Sequence, residues 1–434
     1  MMKKAELDNR LLNLTKKGKL QVPGLGVIIY KDGKKAYDFF AGNSYINNMD
    51  NSKNKAFNKD SIFRIASVSK QFTIFALMKL VEEKRISLDD DVSDFLSFKL
   101  RHPHYLDIPI TIRMLASHTS GLRDGKVYST PPAVSLKEFF TPNGMFYEDG
   151  NHFSKKDEKT GEFFCYANLN YGLLGTVIEK VSGVRFDRFL KKNIFEPLEM
   201  QGGYLVGNLS AQEFLNLGSI YRKENYSGVW DSEGKWFSYI DDYGDKKPLA
   251  ETVFLQNPYA EKVNGSYSLK EYIPGTNATS LAPQGGLRTS LEGLSHALEM
   301  LINKGVYKGN RILAEKSVDE IFKLQWVYDE DRHNGDTAGG TLLNYGLGEY
   351  FIDGRSTARV CRNHVMDFVG HTGQAFGLLA GLFIRKDSRD GFVYIMNGEA
   401  SPEETEETMG KFSGNFIWEE IMMDAISEFI YVLK

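Results

Sequence analysis

Two pairs of β-rich runs joined by tight turns, one pair near each end of the chain, set the strongest limit on the fold. Near the start, V-P-G-L-G-V-I-I-Y (22–30) and K-A-Y-D-F-F-A-G (35–42) flank K-D-G-K (31–34). An Asp-Gly pair between such runs is a strong hairpin signal, because the two-residue turn needs positive φ at its centre. Near the end, F-G-L-L-A-G-L-F-I-R (376–385) and G-F-V-Y-I-M-N (391–397) are joined by K-D-S-R-D (386–390). Strands that far apart in sequence pair most simply in one antiparallel sheet.

Helical patterns fill the rest. An amphipathic helix opens the chain at 4–18, with Leu7, Leu11, Leu12 and Leu14, and another closes it at about 414–432. The 66–84 segment carries apolar residues on nearly all faces and predicts a buried helix. A-N-L-N-Y-G-L-L-G-T-V-I-E-K-V-S-G predicts a helix that stops at Gly183, and a helical pattern resumes in S-L-E-G-L-S-H-A-L-E-M-L-I-N-K-G after Leu287. Segments 124–163 and 205–280 are rich in Gly, Asn, Asp and Tyr without clean periodicity, and read as long loops that shape a pocket.

These elements predict an α/β (α+β) fold: an antiparallel sheet flanked by helices, plus a mostly helical lobe. A chain of 434 residues exceeds one compact core and divides as 1–65 with 290–434, the sheet domain, and 66–289, the helical domain with long loops. A site is expected in the cleft between them.

Charge excludes some partners. With 53 basic and 57 acidic residues the net charge is -4, so no basic field invites nucleic acid or an anionic membrane. The apolar runs are too short for a membrane span, and the start lacks the apolar stretch of a signal peptide, so a cytoplasmic protein is expected. Cys165 and Cys361 do not make a disulfide framework.

The chemistry is sought where the 66–84 helix begins, in F-R-I-A-S-V-S-K-Q-F-T-I-F-A-L-M (63–78). Ser67 and Lys70 sit three apart, which on a helix places both on one face. The same spacing occurs at Ser52 with Lys55 and at Ser232 with Lys235, both in polar text. Alone, it is equally read as a capping serine with a lysine reaching solvent. Lys70, however, has apolar neighbours on all sides. A buried ammonium needs a partner or a lowered pKa, and a neutral amine beside a hydroxyl is a ready general base.

The surrounding text resembles the serine β-lactamase and penicillin-binding-protein superfamily, in particular its class C-like branch, which also holds D-amino peptidases and esterases. F-R-I-A-S-V-S-K-Q-F-T is similar to the first box, and I-T-I-R-M-L-A-S-H-T-S-G-L (110–122) to a segment of that branch. Y-A-N (166–168) matches the Tyr-x-Asn box. Q-G-G-L-R-T-S (284–290) is similar to the glycine segment, and H-T-G (371–373) stands where many members have Lys-Thr-Gly. The likeness is co-linear from about residue 20 to the end.

The resemblance implies a metal-free serine hydrolase that needs no cofactor. Ser67 would be the nucleophile, with Lys70 and Tyr166 carrying its proton, in an order left open here. Asn168 would bond the acyl side of the substrate. The strand of His371, Thr372 and Gly373 would pair with the substrate backbone, and the N–H groups of Ser67 and Gln374 would form the oxyanion hole. The substrate is an ester or amide: a D-amino peptide, a simple ester or a β-lactam. The alternative is a binding protein of the same family that acylates slowly. His371 in place of lysine removes a fixed positive charge, so generic hydrolysis ranks above efficient β-lactam cleavage. The partner is a small-molecule or peptide substrate, and oligomeric state stays open.

Other candidates read as structural. His118 is expected to bond loop backbone and Cys165 to fill the core. His102 and His104 supply two ligands, too few for a catalytic zinc.

Overall fold

The computed structural model describes residues 2–431 apart from 17, 19, 226, 258–259, 354–358, 386–387 and 400–405. Both hairpins form, and they meet. The first joins β1 (Gly24–Lys31) to β2 (Lys34–Tyr45), with Asp32 and Gly33 at φ 51° and 78°, the two positive values that an Asp-Gly turn supplies. The short β3 (Lys55–Ala56), β4 (Trp326–Val327), β5 (Asn344–Tyr345) and β6 (Tyr350–Ile352) lie at the margins. Three long strands, β7 (Phe368–Ala375), β8 (Leu378–Arg385) and β9 (Gly391–Met396), complete the sheet. Among the described residues its order is β4-β5-β6-β7-β8-β9-β1-β2-β3, and every pairing is antiparallel. Residues Lys386 and Asp387 of the turn read from K-D-S-R-D lie outside the described residues.

The sheet is covered on both faces, which explains why β1 is apolar without alternation. Leu25, Val27 and Ile29 join one buried cluster, with residues of α1 (Lys4–Asn13) and α5 (Ile417–Ile430). Ile28 and Tyr30 join the other, which contains α2 (Ser69–Glu82), α3 (Asn168–Ser182) and α4 (Leu291–Ile302). The two chain ends are therefore stapled together on one face. Trp418 of α5 is 1% exposed and donates its indole N–H to the Leu20 carbonyl at 3.0 Å. Burying an aromatic of this size contributes at least about 1.5–3 kcal/mol. Of the last helix expected to reach 432, residue 432 itself lies outside the described residues.

Helix ends obey their local chemistry. Ser290 caps α4 by accepting the Gly293 N–H, and Gly183 ends α3 at φ 74°. The 205–280 segment departs from the loop reading. It contains a hairpin of Ile220–Glu224 with Lys235–Ile240, and a second of Thr252–Leu255 with Gly265–Ser268. The strands of the first carry Arg222, Lys223, Trp236 and Tyr239 packed by stacking, so no apolar alternation marks them. Among the described residues, no helix is long and apolar enough to cross a membrane.

Candidate active site

Ser67 stands in a single tight turn, Ala66–Val68, that leads directly into α2. The residue before it, Ala66, has φ 45°, a left-handed conformation uncommon for a non-glycine. The turn is held from two sides. Ile65 N–H donates to the Leu287 carbonyl at 2.9 Å, and Leu287 N–H donates to Ser69 Oγ at 3.1 Å, so the glycine segment anchors the first box. On the other side β7 presses against the same turn. A Cβ on Gly373 would lie 2.3 Å from the Ile65 carbonyl oxygen, so only glycine permits this approach.

The side chains named by the sequence converge. Lys70 Nζ donates to Ser67 Oγ at 3.0 Å, to Asn168 Oδ1 at 2.8 Å and to the Gln284 carbonyl at 3.1 Å. Tyr166 Oη lies 3.0 Å from Ser67 Oγ as a second donor. Its ring also faces the amine, 4.7 Å from centroid to Nζ. Lys70 is fully buried whereas Ser67, Tyr166 and Asn168 are half-buried. Burial lowers the Lys70 pKa to about 7, against the opposing pull of the Asp124 charge. Burial raises the Tyr166 pKa, so its phenol keeps its proton. The amine is thus the group poised near neutrality to exchange a proton with the hydroxyl.

Ser67 opens on a cavity of about 320 Å³. Asn168, Gln284 and Gln374 share its wall with Ala66, Phe376 and Arg64. The two long segments add Tyr128, Ser129, Arg222, Phe254 and Asn257, in line with their expected role. His371 is placed differently from a substrate-facing residue. It is 4% exposed, packed against Tyr345 and Tyr350, with its ring 6.0 Å from that of Tyr166. Desolvation and the nearby Lys70 hold its pKa down at about 3, so this imidazole is neutral and lies off the cavity wall. Thr372 is half-buried and accepts from Tyr350 Oη at 3.4 Å.

Two supporting residues lay beyond the sequence reading or at its edge. Asp124 accepts from Asn168 Nδ2 and from Leu169 N–H, each at 2.9 Å, and so caps α3 while orienting Asn168. It comes directly after Arg123, which follows S-H-T-S-G-L, and that adjacency is the signal that could have found it. His118 accepts the Ala167 N–H at 3.1 Å, and its ring lies 4.4 Å from that of Tyr166, which it positions. His102 meets the Ser154 carbonyl at 3.0 Å, and burial pushes the Cys165 thiol up to about 12.

Comparison with known proteins agrees in kind. A family model described as Beta-lactamase matches residues 12–413. Protein flp of Staphylococcus aureus is 31% identical over 183 residues, which are 41% of this chain and 34% of that protein. The chain thus spans about a third of the length of the curated relatives that it matches. Among solved structures, the octameric penicillin-binding protein homologue from Pyrococcus abyssi superposes with TM-score 0.66 at 22% identity, over 99% of this chain and 78% of that one. D-amino acid amidase from Ochrobactrum anthropi SV3 does so with TM-score 0.61 at 18% identity, over 97% of each chain. With its co-linear motifs and its mixed fold around a large antiparallel sheet, the chain belongs to the Beta-lactamase family, within the serine β-lactamase and penicillin-binding-protein superfamily.

Proposed function

We propose that the protein is a serine hydrolase that forms an acyl-enzyme on Ser67 from an ester or amide. The observation that carries this reading is the double approach to Ser67 Oγ, by Lys70 Nζ and Tyr166 Oη at 3.0 Å each, at the wall of an open cavity. In the reaction, Ser67 Oγ bonds to the substrate carbonyl carbon while its proton passes to neutral Lys70. The carbonyl π electrons move to oxygen, which the N–H groups of Ser67 and Gln374 bind. One such donor is typically worth ~10²–10³ in rate. The oxygen pair then returns, the bond to the alkoxide or amine breaks, and Tyr166 hands that leaving group a proton that Lys70 replaces. Water repeats the sequence on the acyl-enzyme and frees the acid. Asn168 holds the acyl side, and the β7 segment of His371, Thr372 and Gly373 offers its backbone to the substrate. A D-amino amide is a fitting test substrate, since a D-amino acid amidase shares the fold.

A fluorophosphonate that reacts with activated serines tests the assignment. Mass spectrometry is expected to find one adduct, on Ser67, and p-nitrophenyl esters or D-alanine amides are expected to turn over in wild type only. Hydrolysis by Ser67→Ala at the wild-type rate would overturn the reading. Labelling of Ser67 without turnover would identify a slow penicillin-binding-like binder.

A further inference from the structure

A second cavity, of about 430 Å³, is lined by Gly203, Tyr204, Leu205 and Asn208 and holds none of the residues that converge on Ser67. A narrow space of about 40 Å³ borders both cavities. It shares Arg64, Phe254, Ser280 and Ala282 with the Ser67 cavity, and Tyr204 and Leu205 with the second one. The Thr252–Leu255 strand supplies part of its wall. This neck ends beside the nucleophile. Gly286 lines the neck and Gly285 lines the Ser67 cavity, and a Cβ on Gly285 would sit 3.7 Å from the Ala66 carbonyl carbon.

Size and lining decide what the neck can carry. Pockets that hold small-molecule ligands start at about 300 Å³, so the neck is too small for an acyl group. It has room for about three water molecules. Its polar atoms suit them. Arg64 donates through Nε to the Gly285 carbonyl at 2.8 Å, and its terminal nitrogens form no hydrogen bond among the described residues. A guanidinium has five N–H donors, and water supplies acceptors for the rest. Ser280 donates its hydroxyl to the Asn277 carbonyl at 3.2 Å, and Thr252 donates to the Ala250 carbonyl at 3.3 Å. Both oxygens keep lone pairs to accept from water. The neck is also braced. Arg288, paired with Asp241 through two bonds of 2.8 Å, donates to the Tyr204 carbonyl and to the Gly286 carbonyl at 3.1 Å each. One side chain thus ties the end shared with the second cavity to the end beside Gly285.

We propose that the neck is a water passage from the second cavity to the Ser67 centre, separate from the opening by which substrate enters. The inference rests on the reading of Ser67 as nucleophile. In the acyl-enzyme a bulky acyl group fills the Ser67 cavity and hinders water from that side. Water arriving through the neck bonds through its oxygen to the acyl carbon and gives its proton to Lys70. The bond from that carbon to Ser67 Oγ then breaks, and Oγ regains a proton from the Lys70–Tyr166 pair.

Competition between two nucleophiles tests the passage. 1-Propanol is larger than water, enters with the substrate, and captures the same acyl group as its propyl ester. Thr252→Trp and Leu205→Trp each place an indole at the neck, from different segments, and Leu205→Ala widens it. With p-nitrophenyl phenylacetate, the Trp variants are expected to raise the ratio of propyl ester to acid by roughly threefold or more, and Leu205→Ala to lower it. The p-nitrophenol burst, which precedes the entry of water, is expected to keep its wild-type rate. With p-nitrophenyl acetate, whose small acyl group leaves the cavity open to water, the ratio is expected to move less. General damage slows both captures and leaves the ratio alone. An unchanged phenylacetyl ratio in Leu205→Ala, or in a Trp variant with a wild-type burst, overturns the passage. A high-resolution crystal structure of the wild type decides independently of the reaction. Ordered waters running from Leu205 to Arg64 support the passage, and a dry or closed neck rejects it. If Ser67→Ala hydrolyses at the wild-type rate, the reading of Ser67 falls, and those crystallographic outcomes still decide the passage.

Discussion

Lys70 donates to the side-chain oxygen of Asn168 at 2.8 Å, so the buried amine rests on a neutral amide rather than on a carboxylate. Its other acceptors, Ser67 Oγ and the Gln284 carbonyl, are neutral too. Nothing in direct contact holds the proton, and burial therefore brings the pKa to about 7. If Lys70 must be neutral to take the Ser67 proton, kcat/KM rises with pH through about 7 and levels off above it. Asp124 pulls the other way, since its charge favours the ammonium. Asp124→Asn is thus expected to move the limb to lower pH, by a few tenths of a unit to about one. An unmoved limb in the pH–rate profile of that variant would assign it to another group.

Tyr166 reaches the same oxygen with a phenol whose proton burial retains. That casts it as a donor and relay. Tyr166→Phe is expected to lower kcat by roughly 10²–10⁴, the range for general acid–base groups, while leaving the limb near pH 7 in place. A variant that instead lost the limb would make Tyr166 the base. Stopped-flow acylation with a p-nitrophenyl ester reads both the rate and its pH dependence.

Gly373 lets β7 touch the turn that carries Ser67. In Gly373→Ala the new methyl would meet the Ile65 carbonyl at 2.3 Å, and backbone is not a flexible neighbour. The strand or the turn must move by several tenths of an ångström. Activity is expected to fall by on the order of 10² because catalytic geometry tolerates little displacement. Stability is expected to fall by about 1–3 kcal/mol, as for overpacked cores. Kinetics and a urea melt on one preparation measure both.

The residues most legible in the sequence were those whose local text dictates their backbone. The Asp32-Gly33 turn and the Gly183 stop are both where the pattern puts them. Ser67, Lys70, Tyr166 and Asn168 were named by motif and order, and the fold brings them together. Asp124 is marked in the sequence only by its place after S-H-T-S-G-L-R, because its partner, Asn168, is 44 residues away. Arg222 escaped because its strand is stabilised by cation–aromatic stacking, which leaves no apolar alternation to read. His371 was named as substrate-binding from its place in a motif. Its burial against Tyr345 and Tyr350 depends on neighbouring strands that sequence spacing does not reveal.

The buried carboxyls make stability depend on pH in a definite direction. Glu419, 3% exposed, accepts from the Tyr394 hydroxyl on β9, and burial raises its pKa from 4.5 to about 7. In the unfolded chain it ionises near 4.5, so between 4.5 and about 7 the folded state holds a proton that the unfolded state has lost. Its contribution is complete below 4.5 and is lost as pH rises through about 7. Glu179, raised from 4.5 to about 7 by burial between α3 and Tyr272, acts in the same direction. Glu419→Gln keeps an oxygen to accept from Tyr394 but cannot ionise. It is expected to retain the pH 5 stability and to recover on the order of 1–3 kcal/mol of what wild type loses by pH 8. Urea melts of both proteins at pH 5 and pH 8 measure the difference, and identical pH slopes would show that Glu419 ionises in the folded state as readily as in the unfolded one.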